Sequence, residues 1–326
     1  MHDIIIFNRQ WINYEKKSKK TIRKIKNEII ESTQSNIGLV FSIICESVKL
    51  YFINLDKFLK YMTFPVLGQV FGIVLIFVSS YFFSCNFEVI KYRYPIFQNV
   101  QFAFLTLTLI TLPGFLIFIK AFYDYLIAIG AICSMSVNLK AKDGTISDMK
   151  THNEIISRHI TSYLVLILIT SLIVSLGSLF FIIGGIITFI YLAFVIQSFA
   201  LNENLNIFNH ISKSFEVVKG RFFIAFLLLF FMFVMCYLLL PDIIHWGFIW
   251  ANWDSFFVNF IEAYIIKLPI GQINDLLNSI ESINIHIDSL MLSKYIFKSF
   301  VSLIVAGYTL PIRDIAMTLF FRRFSK

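Results

Sequence analysis

Two short stretches place ionisable side chains inside long apolar runs. In "FIKAFYDYLIAIG", Lys120 and Asp124 stand one helical turn apart, so on a helix they share a face and can pair. In "LPIRDIAM", Arg313 and Asp314 follow Pro311. Charges at membrane depth are costly, and those retained there face a partner or a wet cavity. The chemistry they would support is passage of an ion or polar solute through a helical bundle. The competing reading is structural: Lys120 and Asp124 neutralise each other, and Arg313 lies within about three turns of the end of its helix, near enough to snorkel.

Little else in the chain has catalytic spacing. Six histidines, His2, His152, His159, His210, His245 and His286, are dispersed. The tightest group is "HNEIISRH", where His152 and His159 are seven apart with Glu154 off the stripe, whereas a helical zinc pair wants i and i+4. A solvated loop without metal is expected. No G-x-S-x-G elbow, P-loop or G-x-G-x-x-G occurs, so neither an enzyme nor a cofactor is expected. Cys45, Cys85, Cys133 and Cys236 are single and read as small packing residues.

The elements that must hold these residues are set by composition. The chain has 326 residues, 58% hydrophobic and 15% charged, with a mean hydropathy of +0.77. Soluble domains are about half apolar and a quarter charged. The expected fold class is therefore all-α, a polytopic integral membrane protein. Crossings are expected near 61–84, 101–138, 162–183, 185–201, 221–240 and 299–320, since a helix needs about 20 apolar residues to span the hydrocarbon. The run 162–201 would reach about 60 Å as one helix. It is read as a hairpin hinged at Gly184-Gly185, and the run 101–138 as one helix kinked at Pro113-Gly114.

Loop charge supports six crossings with both termini cytoplasmic. Segments 1–60, 139–160, 202–221 and 321–326 then carry nearly all Lys and Arg, eight of them between Arg9 and Lys26. A basic cytoplasmic segment 1–43 and a membrane domain 44–326 follow. The N-terminus is not expected to be a signal peptide, because its apolar run Ile4–Phe7 is too short. "EKKSKKTIRKIK" is expected to meet anionic lipid headgroups rather than nucleic acid, for no aromatic residue is interleaved to stack bases.

A polar stretch, "NHISKSFEVVKGRFF", separates two apolar walls. Ile211, Phe215, Val218 and Phe222 form a helical stripe, which predicts an amphipathic helix on the membrane surface. "ESVKLYFINLDKFLKYM" repeats the spacing at Val48, Phe52, Leu55 and Leu59. That leaves open either an internal duplication or two independent surface helices. In 241–295, an outer amphipathic segment is expected around "INDLLNSIESINIHIDSLMLSK", with Trp246, Trp250 and Trp253 in an interfacial belt.

The stretch from Gly184 to Phe223 resembles the signature of the membrane-domain superfamily that accompanies glycerophosphoryl diester phosphodiesterases, shared by stand-alone bacterial six-helix proteins. In that pattern a Pro-Gly turn opens a helix, an acidic residue closes it, and Ser, Lys-Gly and paired aromatics follow. Gly184, Gly185, Glu203, Ser214, Lys219, Gly220, Phe222 and Phe223 take those positions, with Gly184 where the pattern has Pro. "YTLPIRDIAMTLFFRRF" is similar to the closing segment. The resemblance implies a cell-membrane (inner-membrane), multi-pass location but no settled activity. The phosphodiesterase chemistry belongs to a separate soluble barrel of about 250 residues, for which this chain has no room. A scaffold, lipid-interacting or assembly role is expected, with membrane lipids as partners and no nucleic acid. A small transporter or channel, then a lipid-modifying enzyme, are the alternatives. A continuous polar cleft around the two charge pairs would favour transport; a closed apolar core would favour the scaffold.

Overall fold

The computed structural model describes residues 36–138, 144, 149–179, 181–202, 205–267, 270–278 and 287–325. Among them there is no strand. The chain is an all-α, multi-pass membrane protein with seven helices long and apolar enough to cross a bilayer. The additional one is α1, Asn36–Ile53. It runs through the boundary drawn at residue 43; residues 1–35 lie outside the described residues.

Helix α2, Leu55–Cys85, follows α1 after a break at Asn54. Asn54 is buried, and its side-chain amide donates to the Leu50 carbonyl at 3.0 Å and the Gly144 carbonyl at 2.8 Å. The break divides the stripe expected from Val48 to Leu59. Phe52 and Leu59 face outward, while Ile43, Ser47, Leu50, Tyr51, Asn54, Phe58 and Met62 form the buried face.

The short α3, Phe87–Arg93, and a 3-10 turn, Pro95–Gln98, lead into α4, Val100–Asn138. Pro113 lies inside α4 without ending it. α2 and α4 make the closest helix pair, because small residues meet where they cross. A Cβ added to Gly72 would lie 2.7 Å from the Phe118 amide nitrogen, and one on Gly68 would lie 2.8 Å from the Ala121 methyl. Small residues four apart let helix backbones approach where lipid provides no hydrophobic drive.

α5, Met149–Arg158, precedes the hairpin of α6, Ile160–Leu179, and α7, Ile182–Leu192. The hairpin is present, but its turn includes Phe181, at φ 96°, and precedes Gly184-Gly185. The two glycines occupy the first turn of α7. Gly185 abuts Ser178 of α6, and Gly177 of α6 abuts Thr188 of α7, so Gly185 serves close packing of the hairpin rather than its bend. α8, Val195–Leu201, and α9, Ile207–Val218, follow. α10, Phe222–Phe233, then continues through a π-helical turn, Val234–Leu239, into α11, Leu240–Trp250. This helix therefore passes the expected end at residue 240. Trp246, Trp250 and Trp253 are exposed.

α12, Trp253–Ile265, and α13, Ile270–Asn278, occupy the expected outer segment. Residues 279–286, the middle of its amphipathic stretch, lie outside the described residues. The last expected crossing, 299–320, is divided. α14, Ser289–Tyr308, starts ten residues earlier and ends at Thr309; α15, Leu310–Phe324, is a separate helix. α15 is buried from Leu310 to Ile312 and from Asp314 to Phe321, with Phe194, the residue before α8, stacked on Phe320 at 5.0 Å.

Candidate functional site

A polar cluster within the described residues lies where α15 meets α4, α8 and the π-helical turn. π turns inside α-helices are rare and frequent at functional sites. This one carries buried Cys236 and the adjacent Tyr237. The Arg313 guanidinium donates through Nη1 to the Tyr237 hydroxyl and lies 3.7 Å, from Nε, to Asp314 Oδ1. The Thr318 hydroxyl donates to the Asp314 backbone carbonyl at 2.7 Å. Across from them, Gln197 of α8 reaches Cys133 of α4, Nε2 to Sγ, at 3.5 Å. Asp314 is 2% exposed and Gln197 1%. Among the described residues, Asp314 Oδ2 and Gln197 Oε1 have no hydrogen-bond partner.

The second sequence pair also forms. The Lys120 ammonium contacts both Asp124 carboxylate oxygens and lies 5.9 Å from the Phe64 ring centroid and 5.8 Å from that of Tyr123. The outward-facing apolar side chains of α4 run from Val100 to Tyr123, and from Ile127 the helix turns buried. The pair thus marks the end of the outward-facing stretch rather than its middle. Among the described residues no ion pair joins Lys120 or Asp124 to Arg313 or Asp314.

The "NHISKSFEVVKGRFF" segment forms α9, whose buried face, His210, Ser214, Val217 and Val218, shares Val218 with the expected stripe and otherwise falls one position before it. The Ser214 hydroxyl donates to the Tyr191 carbonyl at 2.7 Å and accepts the Phe194 amide at 3.2 Å. It therefore satisfies backbone groups where α7 gives way to α8. Phe215, half exposed, stacks on Tyr191 at 4.3 Å. Gly220, at φ 78°, makes the bend before α10, a backbone conformation that side chains with a Cβ resist. Lys219 is the C-cap of α9, Phe222 and Phe223 open α10, and Glu203 lies outside the described residues.

His210 Nδ1 is 3.2 Å from the Ser198 hydroxyl. Burial pushes its pKa below the usual 6.5 and the Lys213 charge adds to that, while the Leu205 and Ser198 carbonyls oppose it. His152 is buried, with Nδ1 3.0 Å from the Ser134 hydroxyl. Glu154 pairs with Arg158 at 3.7 Å instead of approaching His152. Among the described residues no three His, Cys, Asp or Glu side chains group as metal ligands.

A recess of about 200 Å³ opens beside α1 and the end of α15, lined by Ile43, Glu46, Leu319, Arg322 and Arg323. Arg322 is anchored there through Nη1 to the Val137 carbonyl at the end of α4. Sequence reading missed this recess, because Glu46 and Arg323 are far apart in the chain and neither lies in a motif. It also missed Gln197 and the Gly68/Gly72 contact, although Gly-x-x-x-Gly spacing was visible.

Compared with family models, curated proteins and solved structures, the chain matches none.

Proposed function

We propose that the protein is a multi-pass cell-membrane (inner-membrane) protein, bacterial in kind, that binds lipids or organises other membrane proteins rather than catalysing a reaction. The resemblance to the stand-alone membrane domains points the same way. So does the loop charge, which on the positive-inside tendency favours a cytoplasmic side for the Arg322/Arg323 end. The observation that carries the reading is the enclosure of Asp314. Asp314 is 2% exposed, and the partly exposed Arg313 beside it is engaged by Tyr237 and Asp314. A transport site needs its charges on a path that a solute can reach.

A small transporter is the second reading, and it draws on the unpartnered Asp314 Oδ2 beside a π-helical turn. Full-length protein in vesicles loaded with a pH-sensitive dye separates the two. The expected result is proton and cation permeability equal to protein-free vesicles, with phospholipid or a membrane-protein partner co-purifying from native membranes. A flux abolished by Asp314→Asn would replace the scaffold reading with transport.

A further inference from the structure

The recess beside Arg322 is lined by two arginines, one glutamate and two apolar residues around a space of about 200 Å³. Guanidinium groups bind phosphate by charge-assisted, often paired hydrogen bonds. Arg322 is held in place by the Val137 carbonyl, which uses one of its five N–H groups and leaves the others to donate elsewhere. Glu46 and Arg323 are exposed, and among the described residues neither forms an ion pair. Glu46, contributed by α1, lines the same recess and is an acceptor for a cation. Ile43 and Leu319 supply a wall for the apolar part of a ligand.

A phosphate alone would satisfy the arginines but face Glu46 with a like charge. An anionic glycerol headgroup would do the same. A primary ammonium linked to a phosphate by a short chain satisfies both sides. We propose that this recess is a binding site for an aminophospholipid headgroup of the ethanolamine type, with phosphate on Arg322 and Arg323, ammonium on Glu46, and acyl chains leaving past Ile43 and Leu319. The proposal rests on the lipid-interacting reading above and names its ligand.

The test is lipid retention by the purified full chain in detergent, read by native mass spectrometry with equal phosphatidylethanolamine and phosphatidylglycerol added. Expected is one tightly held phosphatidylethanolamine, preferred roughly tenfold, the factor that one lost charge-assisted contact represents. Glu46→Gln should erase the preference, Glu46→Lys should turn it toward phosphatidylglycerol, and Arg323→Gln should weaken both lipids. Both positions are exposed, so these variants should melt with the wild type. Inorganic phosphate and free phosphoethanolamine should not displace the lipid; if either does so at comparable concentration, the ligand is a soluble phosphate ester. Retention unchanged in Glu46→Lys and Arg323→Gln would overturn the recess while leaving lipid binding intact. A wild type that holds no phospholipid at all would overturn both readings.

Discussion

The backbones of Gly72 and Gly114 are in direct contact: a Cβ built on Gly72 would stand 2.8 Å from the Gly114 carbonyl oxygen, and one on Gly114 would stand 2.9 Å from that of Gly72. No side chain fits between these helices. Gly72→Ala should therefore force α2 and α4 apart and cost about 1–3 kcal/mol, the usual range for overpacking. Gly247→Ala is the control, since nothing lies within 4 Å of a Cβ there. Thermal unfolding in detergent checks the pair. Equal melting of the two variants would mean that α2 and α4 do not cross at these glycines.

Lys120 and Asp124 were legible as a pair because their spacing is local, and a helix carries both to one side whatever surrounds it. Removing Lys120 alone strands a carboxylate that is only about a quarter exposed, 26%. Lys120→Leu should then destabilise more than the double variant Lys120→Leu/Asp124→Leu, by an amount on the order of 1–3 kcal/mol. A double-variant cycle measures the difference. Strictly additive losses would show that the two side chains do not interact.

What the sequence hid is mostly non-local. The interior of α15 was not readable from "LPIRDIAMTLFFRRF", because a helix buried on all sides is expected to be apolar on all sides. Here Asp314 and Thr318 are polar yet covered: the Thr318 hydroxyl is bonded within α15, and Asp314 Oδ1 lies 3.7 Å from the partly exposed Arg313. The hairpin in 162–201 followed from length alone, whereas its turn did not. Gly184-Gly185 looked like the hinge, but the φ of 96° falls on Phe181. Glycine in a membrane helix serves packing as often as bending, and composition does not distinguish the two uses. The one-position error in the face of α9 has a related cause: the buried positions include His210 and Ser214, which a hydrophobic stripe skips.

Ser214 and Phe215 should matter in α9, and Lys213 should not. Ser214→Ala leaves the Phe194 amide and the Tyr191 carbonyl without their partner at the α7/α8 break, a loss of about 1–3 kcal/mol for buried groups. Phe215→Asp removes the stacking on Tyr191 and sets a charge beside it. Lys213→Ala should stay within about 0.5 kcal/mol of the wild type, as surface substitutions do. Ranked melting temperatures decide the matter. A Lys213 variant worse than the Phe215 variant would make the segment a polar binding motif instead of a packing element.

His210 should give the protein an acid-sensitive stability. Its folded pKa is lowered below 6.5, chiefly by burial, so as pH falls through about 6.5 the unfolded chain takes up a proton before the folded one does. The unfolded state then binds more protons, and stability is lost progressively from about pH 6.5 down to the folded pKa. Above that window the residue contributes no pH dependence, because both states are neutral. His210→Gln keeps a polar side chain able to meet the Ser198 hydroxyl but has no proton to gain. The wild type should thus lose more melting temperature than His210→Gln between about pH 7.5 and pH 5.5. Every other titrating group is common to the two proteins, so the difference between them isolates the contribution of His210. Parallel melting curves across this range would place His210 in contact with water, contrary to its 1% exposure beneath Phe199.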